Sequence, residues 1–349
     1  MAEDIKNKQR EPFWDFVKGV AILLMLLGHS IQFGQGLDYF QSYACFDSYI
    51  FKCIYGFHMP LFMLVSGFLF YNSIQKRNLF ELVKNLFFRI VVPLLSFSII
   101  SFIILKHNGI SSLNLIPLIK STIHHFLSSL WFLWAVLYSS LLLGVSNKLK
   151  IDRIWIQTVM VAALYCIPDY LNTCNFKFMY PYFLFGYFVK KNNLLQVIRG
   201  KELITGIFSI GIYLLLITLF YTSDTYIYTT QIYIFKGDGV SFHLYNDALR
   251  LIVGFLGIAG CISLLKYMYD KAALNQTYYV LTDLGRKSLG IYCFQDLIVS
   301  YIPKITPPNT TPMLTLFITF VGLLIISYSL TKICNSNKIL NSVFLGGRN

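Results

Sequence analysis

The chain has 349 residues, 56% of them hydrophobic, 17% aromatic and 13% charged, with mean hydropathy +0.60. A water-soluble domain carries roughly twice that share of charge, so the composition excludes one and calls for lipid around the apolar surface. The formal net charge of +13 does not point to nucleic acid, because the basic residues stand in short clusters between apolar runs, where a membrane protein keeps its orienting charges.

In chain order, the apolar runs predict ten membrane spans of about 17–23 residues, near 13–33, 50–71, 86–105, 127–146, 154–170, 176–190, 203–221, 248–268, 284–303 and 312–334. The longest connections are 34–49, 106–126 and 222–247. The predicted fold class is all-α: a polytopic integral membrane helix bundle, one domain over 1–349 with short tails at 1–12 and 335–349. Lysine and arginine alternate in number from one connection to the next, 22 of the 29 falling on one side when the flanking span ends are included. An even number of spans with both termini in the cytoplasm satisfies this alternation. The first apolar run is interrupted by Lys18 and lacks a small-x-small cleavage site, so a cleavable signal peptide is not expected. The seven cysteines form no CxxC pair and are read as small apolar residues in helices. Cys45 and Cys174 fall in predicted outer loops, where an oxidising compartment permits pairing.

The first span, DFVKGVAILLMLLGHS, carries Lys18 and His29. Ionisable groups inside a bilayer are costly and mark functional sites by default. Eleven residues apart, the two share one helix face and lie about 16 Å apart along the axis. A neutral imidazole can take a proton from a hydroxyl, the task of a general base. The bland reading of Lys18 is an interfacial lysine paired with Asp15. The functional one is an anchor for an anionic group. His58, in FHMPLFMLVSGFLF, enters from the opposite side and reaches a depth similar to that of His29. Pro60 can kink that helix, and Ser66 and Gly67 are read as packing residues. Arg89 in FFRIVVP and Arg286 in LGRKSLGIYCFQDL stand at the positive side. Orienting charge explains much of each, and guanidinium also suits phosphate. Asp296 lies near mid-membrane beside Gln295, and Trp131 opens a span at the opposite interface. An aromatic belt is the ordinary account of Trp131 and Trp134, stacking on a sugar ring the sharper one. His124 and His125 have no further ligands nearby in sequence, and no metal site is expected.

With these residues in place, the chain resembles the acyltransferase-3 family of bacterial integral membrane acyltransferases. DFVKGVAILLMLLGHS is similar to the family's first-helix signature, FHMPLFMLVSGFLF to its second-helix block and FFRIVVPLLSF to its arginine-to-proline block. SLWFLWAVLYSSLL, YPYFLFGYFVKKN and LGRKSLGIYCFQDL resemble later landmarks in the same order. There are two departures: many members carry arginine at the position of Lys18 and histidine at that of Gln295.

The resemblance implies transfer of an acetyl or other acyl group from acetyl-CoA (acyl-CoA), a co-substrate with no bound cofactor. The acceptor it implies is a hydroxyl of a cell-surface or lipid-linked glycan, and the location the inner (plasma) membrane. Combined with the depths of the residues, the expectation is His29 and His58 as catalytic residues, His29 as general base or brief acyl carrier and His58 orienting either group, with Lys18, Arg89 and Arg286 as donor-binding residues and Trp131, Gln295 and Asp296 as acceptor-binding residues. A transporter or flippase of an anionic or glycan substrate is the competing reading, since it would use the same charges without chemistry. A non-catalytic scaffold would leave Lys18, His29 and His58 unexplained. The sequence sets no oligomeric state.

Overall fold

The computed structural model describes residues 11–107, 120, 123–124, 126–237, 239–272, 276–306 and 312–347. Among them there are helices and no strands. The principal helices are α1 (Pro12–Phe33), α2 (Tyr49–Tyr55), α3 (His58–Gln75), α4 (Leu79–Leu86), α5 (Val92–His107), α6 (Trp131–Lys148), α7 (Ile154–Tyr165), α8 (Thr173–Lys191), α9 (Glu202–Phe220), α10 (Val240–Ala272), α11 (Gln276–Arg286), α12 (Ser288–Val299), α13 (Pro312–Ser336) and α14 (Lys338–Leu345).

A helix stands at each of the ten predicted spans, but among the described residues six stretches are long and apolar enough to cross a membrane: Pro12–Phe33, Tyr49–Gln75, Leu79–Ile103, Glu202–Phe220, Val240–Lys271 and Met313–Ser336. α7 and α12 are apolar but shorter. α8 falls outside the six for a physical reason. It is enclosed by other helices and buries Tyr180, Tyr182, Tyr187 and Lys177, so its environment is protein rather than hydrocarbon. The lipid-facing helices show the converse. Ile204, Ile207, Phe208 and Leu215 of α9 and Leu314, Phe317, Ile318 and Ile325 of α13 are all exposed, a continuous apolar surface of the kind that meets acyl chains.

The second predicted span stands as Tyr49–Gln75 but has a break inside it, and the eighth and ninth are corrected. The second is broken at Gly56 and Phe57 into α2 and α3. Pro60 has no N–H to offer the Gly56 carbonyl, so the ladder cannot run through. The eighth begins at Val240 rather than 248, because the buried Asp247–Arg250 ion pair lets the helix extend past the apolar run. The ninth is two helices, α11 and α12, so Arg286 closes one helix rather than opening another. Between α4 and α5 the backbone forms a π-helical turn, Phe87–Val91, in which Val92 N–H reaches the Phe87 carbonyl. Pro93, next in line, lacks an N–H, and the wider turn accommodates that loss. Arg89 stands on this turn.

Two close crossings organise the bundle. Where α3 passes α8, a Cβ on Gly67 would lie 1.9 Å from the Phe183 carbonyl oxygen, and one on Gly186 would lie 2.0 Å from that of Leu64. Where α1 passes α11, the corresponding approaches are Gly19 to Leu281 O at 1.9 Å and Gly285 to Asp15 O at 1.7 Å. Lipid tails are as apolar as leucine, so helix association in a membrane rests on van der Waals contact, which small residues allow by letting backbones meet. The packing role expected for Gly67 is therefore observed. At one end of α1, Trp14 donates to Glu11 (2.9 Å), Glu11 pairs with Lys190 of α8, and the Trp14 ring packs on Phe68 of α3 (4.2 Å). These contacts tie α1, α3 and α8 into one unit. Its far end carries the histidines.

All seven cysteines are unpaired thiols. Cys174 lies in α8 and Cys45 is buried in a short helical turn, so the loop placement that invited a bridge does not hold.

Candidate active site

Both histidines are oriented by a local consequence of the fold. His29 lies in the last turns of α1, and its Nδ1 is 2.7 Å from Gln295 Oε1 on α12. An amide oxygen can only accept, so Nδ1 carries the proton and Nε2 keeps its lone pair. His58 opens α3. The break before it leaves the Ile54 carbonyl available, and His58 Nδ1 donates to that oxygen at 2.9 Å. Its Nε2 is therefore unprotonated as well. Tyr55 lies between the two imidazoles, its ring centroid 6.5 Å from His29 and 4.8 Å from His58. It is held by stacking on Phe51 (3.7 Å) and by a hydrogen bond to Gln32 Oε1 (2.8 Å). Gly28 makes the room, since a Cβ there would lie 2.6 Å from the Tyr55 ring.

His29 and His58 line one cavity of about 250 Å³. Trp131 and Asp296 line it too, with Tyr55, Tyr292 and the segment Tyr221–Tyr228. Trp131 is delivered by the start of α6, where Leu130 adopts φ +45°. That conformation costs a non-glycine residue about 1–2 kcal/mol. Phe132 N–H donates to the Tyr292 hydroxyl (3.3 Å), which fixes this entry against α12. Four of the residues singled out in the sequence, His29, His58, Trp131 and Asp296, thus meet at one space. Gln295 does not line it. It stands behind His29 as the group that sets the tautomer.

The three cationic residues lie elsewhere. Lys18 forms an ion pair with Asp15 (2.6 Å), and Arg286 Nε lies 3.6 Å from the other oxygen of the same carboxylate. The α1–α11 crossing thus gathers both cations on Asp15 at the end of α1 away from His29. Arg89 is exposed on its π turn, with Gly346 packed on the neighbouring Phe88 carbonyl. None of the three lines the cavity. Among the described residues no cluster of three or more His, Cys, Asp or Glu could hold a metal ion. His125 lies outside the described residues.

One cavity residue is not among those singled out in the sequence. Arg250 of α10 also lines the cavity, is only 2% exposed and pairs with Asp247 at 2.6 Å. Its sequence signal, an ionisable residue within an apolar run, is the same one that His29 carries.

A protein-family model described as an acyltransferase domain (acyltransferase-3) matches residues 11–332. The chain is 25% identical over 301 residues to "Nodulation protein NolL" of Mesorhizobium japonicum, covering 84% of this chain and 77% of that protein. It is 26% identical over 302 residues to the protein of the same description from Sinorhizobium fredii, covering 83% and 78%. No solved structure is significantly similar to the chain. With a family model spanning nearly its whole length and a multi-pass bundle of apolar helices around a histidine-lined cavity, the chain belongs to the acyltransferase-3 family and is an acyl-transferring membrane enzyme.

Proposed function

We propose that the enzyme moves an acetyl or similar acyl group from cytoplasmic acyl-CoA to a hydroxyl of a cell-surface or lipid-linked polysaccharide, with both termini in the cytoplasm of a cell whose plasma membrane holds the bundle. The observation that carries the reading is His29. Its Nδ1–H is fixed on Gln295, and its ring lines a cavity shared with His58, Trp131 and Asp296. The free Nε2 accepts the proton of the acceptor hydroxyl as that oxygen attacks the thioester carbonyl carbon. The C–O bond forms, the C–S bond breaks, and the proton passes from His29 to the departing CoA thiolate. His58 offers a second unprotonated Nε2, which accepts a hydrogen bond from the acceptor and orients it. Trp131 and Asp296 supply an apolar face and a carboxylate acceptor, a combination suited to a sugar.

Lys18, Arg286 and Arg89 bind the anionic CoA head at the other end of α1. Lys18 and Arg286 stay preorganised on Asp15 until phosphate competes for them. Lysine in place of the family's usual arginine keeps the charge but loses the bidentate fork. The acyl group then travels about 16 Å along α1 to reach His29.

The test is acyl transfer from labelled acetyl-CoA to surface polysaccharide in cells carrying His29→Ala. Transfer is expected to vanish while the protein stays folded in the membrane. Undiminished transfer by a normally folded variant would reject the role.

A further inference from the structure

The segment that closes the cavity on one side is not a regular element. It folds as a short 3-10 turn, Ser223–Thr225, followed by one helical turn, Ile227–Thr230. Elements this short satisfy few of their own carbonyls. Here Arg250 adds donors to four of those carbonyls, two of which, Asp224 O and Tyr226 O, also accept from Thr230 and Thr229 within the segment. Arg250 Nε donates to Thr225 O (2.5 Å), one terminal nitrogen to Gln231 O (2.7 Å), and the other to Asp224 O (3.2 Å), Tyr226 O (3.3 Å) and the Thr230 hydroxyl. Four backbone carbonyls within eight residues converge on one guanidinium, and Asp247 balances its charge. Gln231, at the end of the segment, sits at φ +61°, a region that strains a non-glycine residue. Just beyond it, Asp169 accepts from the N–H groups of Ile232 (3.0 Å) and Tyr233 (3.2 Å) and is itself paired with Lys177 (2.8 Å). The segment is thus clamped at both ends by buried ion pairs.

What this clamp presents to the cavity is Tyr228. Its neighbours Tyr226 and Ile227 are buried, with Tyr226 stacked on Phe46 (4.3 Å). Tyr228 lines the cavity yet is 50% exposed, and its hydroxyl makes no hydrogen bond among the described residues. A half-exposed tyrosine held on a fixed backbone at a cavity wall is a ready-made contact for a polar ligand that has a flat apolar face.

We propose that Tyr228 binds the acyl acceptor in the cavity that His29 and His58 line, and that Arg250 is a positioning residue that holds Tyr228 there. The proposal rests on the polysaccharide-acceptor reading above and assigns it a further contact. Only arginine suits the clamp. Lysine would keep the charge for Asp247 but offers a single point of donation, too few hydrogen bonds for four separated carbonyls.

The experiment uses detergent-purified full-length protein, acetyl-CoA as donor, and surface polysaccharide prepared from cells lacking the gene as acceptor. Tyr228→Ala is expected to raise the acceptor KM about tenfold, the worth of roughly one hydrogen bond or ring contact, with the acetyl-CoA KM unmoved. Arg250→Gln and Arg250→Lys are expected to raise the acceptor KM at least as much and to speed tryptic cleavage after Lys236, next to the released segment. An acceptor KM for Tyr228→Ala equal to that of the unaltered protein overturns the proposal, as does an Arg250→Lys variant with unaltered KM and cleavage. Should the arginine variants not fold, Tyr228→Ala decides alone, since its side chain is half exposed and its loss spares the core. An unaltered protein that transfers no acyl group to this acceptor overturns the reading of function itself, a result distinct from any difference among the variants.

Discussion

Replacing Gln295 by methionine isolates the orienting hydrogen bond of His29. The change keeps the side chain's length and volume but removes the oxygen that accepts Nδ1–H at 2.7 Å. Stability should fall by no more than about 1–3 kcal/mol, because the change removes a buried amide whose nitrogen has no partner among the described residues but leaves His29 Nδ1–H without its acceptor. Catalysis should change. When Nε2 takes a proton, the imidazole becomes a cation and its bond to Gln295 becomes charge-assisted. Such bonds are worth about 1.5–3 kcal/mol against roughly 1 kcal/mol for a neutral pair. Without the bond the transition state loses that support and the imidazole no longer favours the productive tautomer. The difference between the two states is about 0.5–2 kcal/mol, and at about 1.4 kcal/mol per decade the expected loss in kcat is roughly two- to thirtyfold. The assay is initial-rate acyl transfer by purified protein at saturating donor, beside a thermal melt of the same sample. A folded Gln295→Met protein with unaltered kcat would falsify the assignment of Nε2 as the base.

Three further outcomes follow from the packing and the charges. Gly67→Val places methyl groups where even a Cβ would sit 1.9 Å from the Phe183 carbonyl, so the α3–α8 crossing should open. Little monodisperse protein is expected on size-exclusion chromatography, whereas Gly211→Ala, at a position where a Cβ meets nothing within 4 Å, should leave the profile unchanged. Asp15→Asn removes the carboxylate shared by Lys18 and Arg286 and should change the acyl-CoA KM severalfold while leaving the acceptor KM alone. An unchanged donor KM would separate that cluster from CoA binding. Burial pushes the Asp152 carboxyl up, but hydrogen bonds from Lys191 (2.7 Å), Tyr187 (2.8 Å) and Asn147 (3.1 Å) outweigh it and hold the group below its ordinary value of 3.8. A depressed folded-state pKa gives stability that is complete above the unfolded value and is lost as pH falls through the folded one. The melting-temperature gap between the unaltered protein and Asp152→Asn should therefore be constant above pH 3.8 and shrink below it. A gap that grows in acid refutes this sign.

Much of the site was legible before any fold. His29, His58 and Asp296 stand out because hydrocarbon tolerates few ionisable groups, and helical rise alone places the two histidines at similar depth. Arg250 sits in an apolar run just as His29 does, yet along the chain it is also one of the seven basic residues on the less basic side. Gln295 stands where many members of the family have histidine. Its partnership with His29 depends on the angle between α1 and α12, which no spacing along the chain encodes. Tyr228 lies in a stretch read only as a connection. Its placement is decided by carbonyls that converge on a side chain some twenty residues away.

By itself the sequence determined that the chain lives in lipid, roughly where its apolar helices lie, and which polar groups the bilayer would not tolerate idle. These follow from local quantities: residue hydropathy, helical period and the missing N–H of Pro60 and Pro93. The tertiary structure alone decided that the second and ninth spans are each two helices, that α8 is wrapped in protein rather than lipid, and that Lys18 and Arg286 share one carboxylate. It also decided that a single arginine closes the cavity wall. Each of these is settled by contacts between segments far apart in the chain, through backbone approaches that only glycine allows and hydrogen bonds whose partners the linear order does not name.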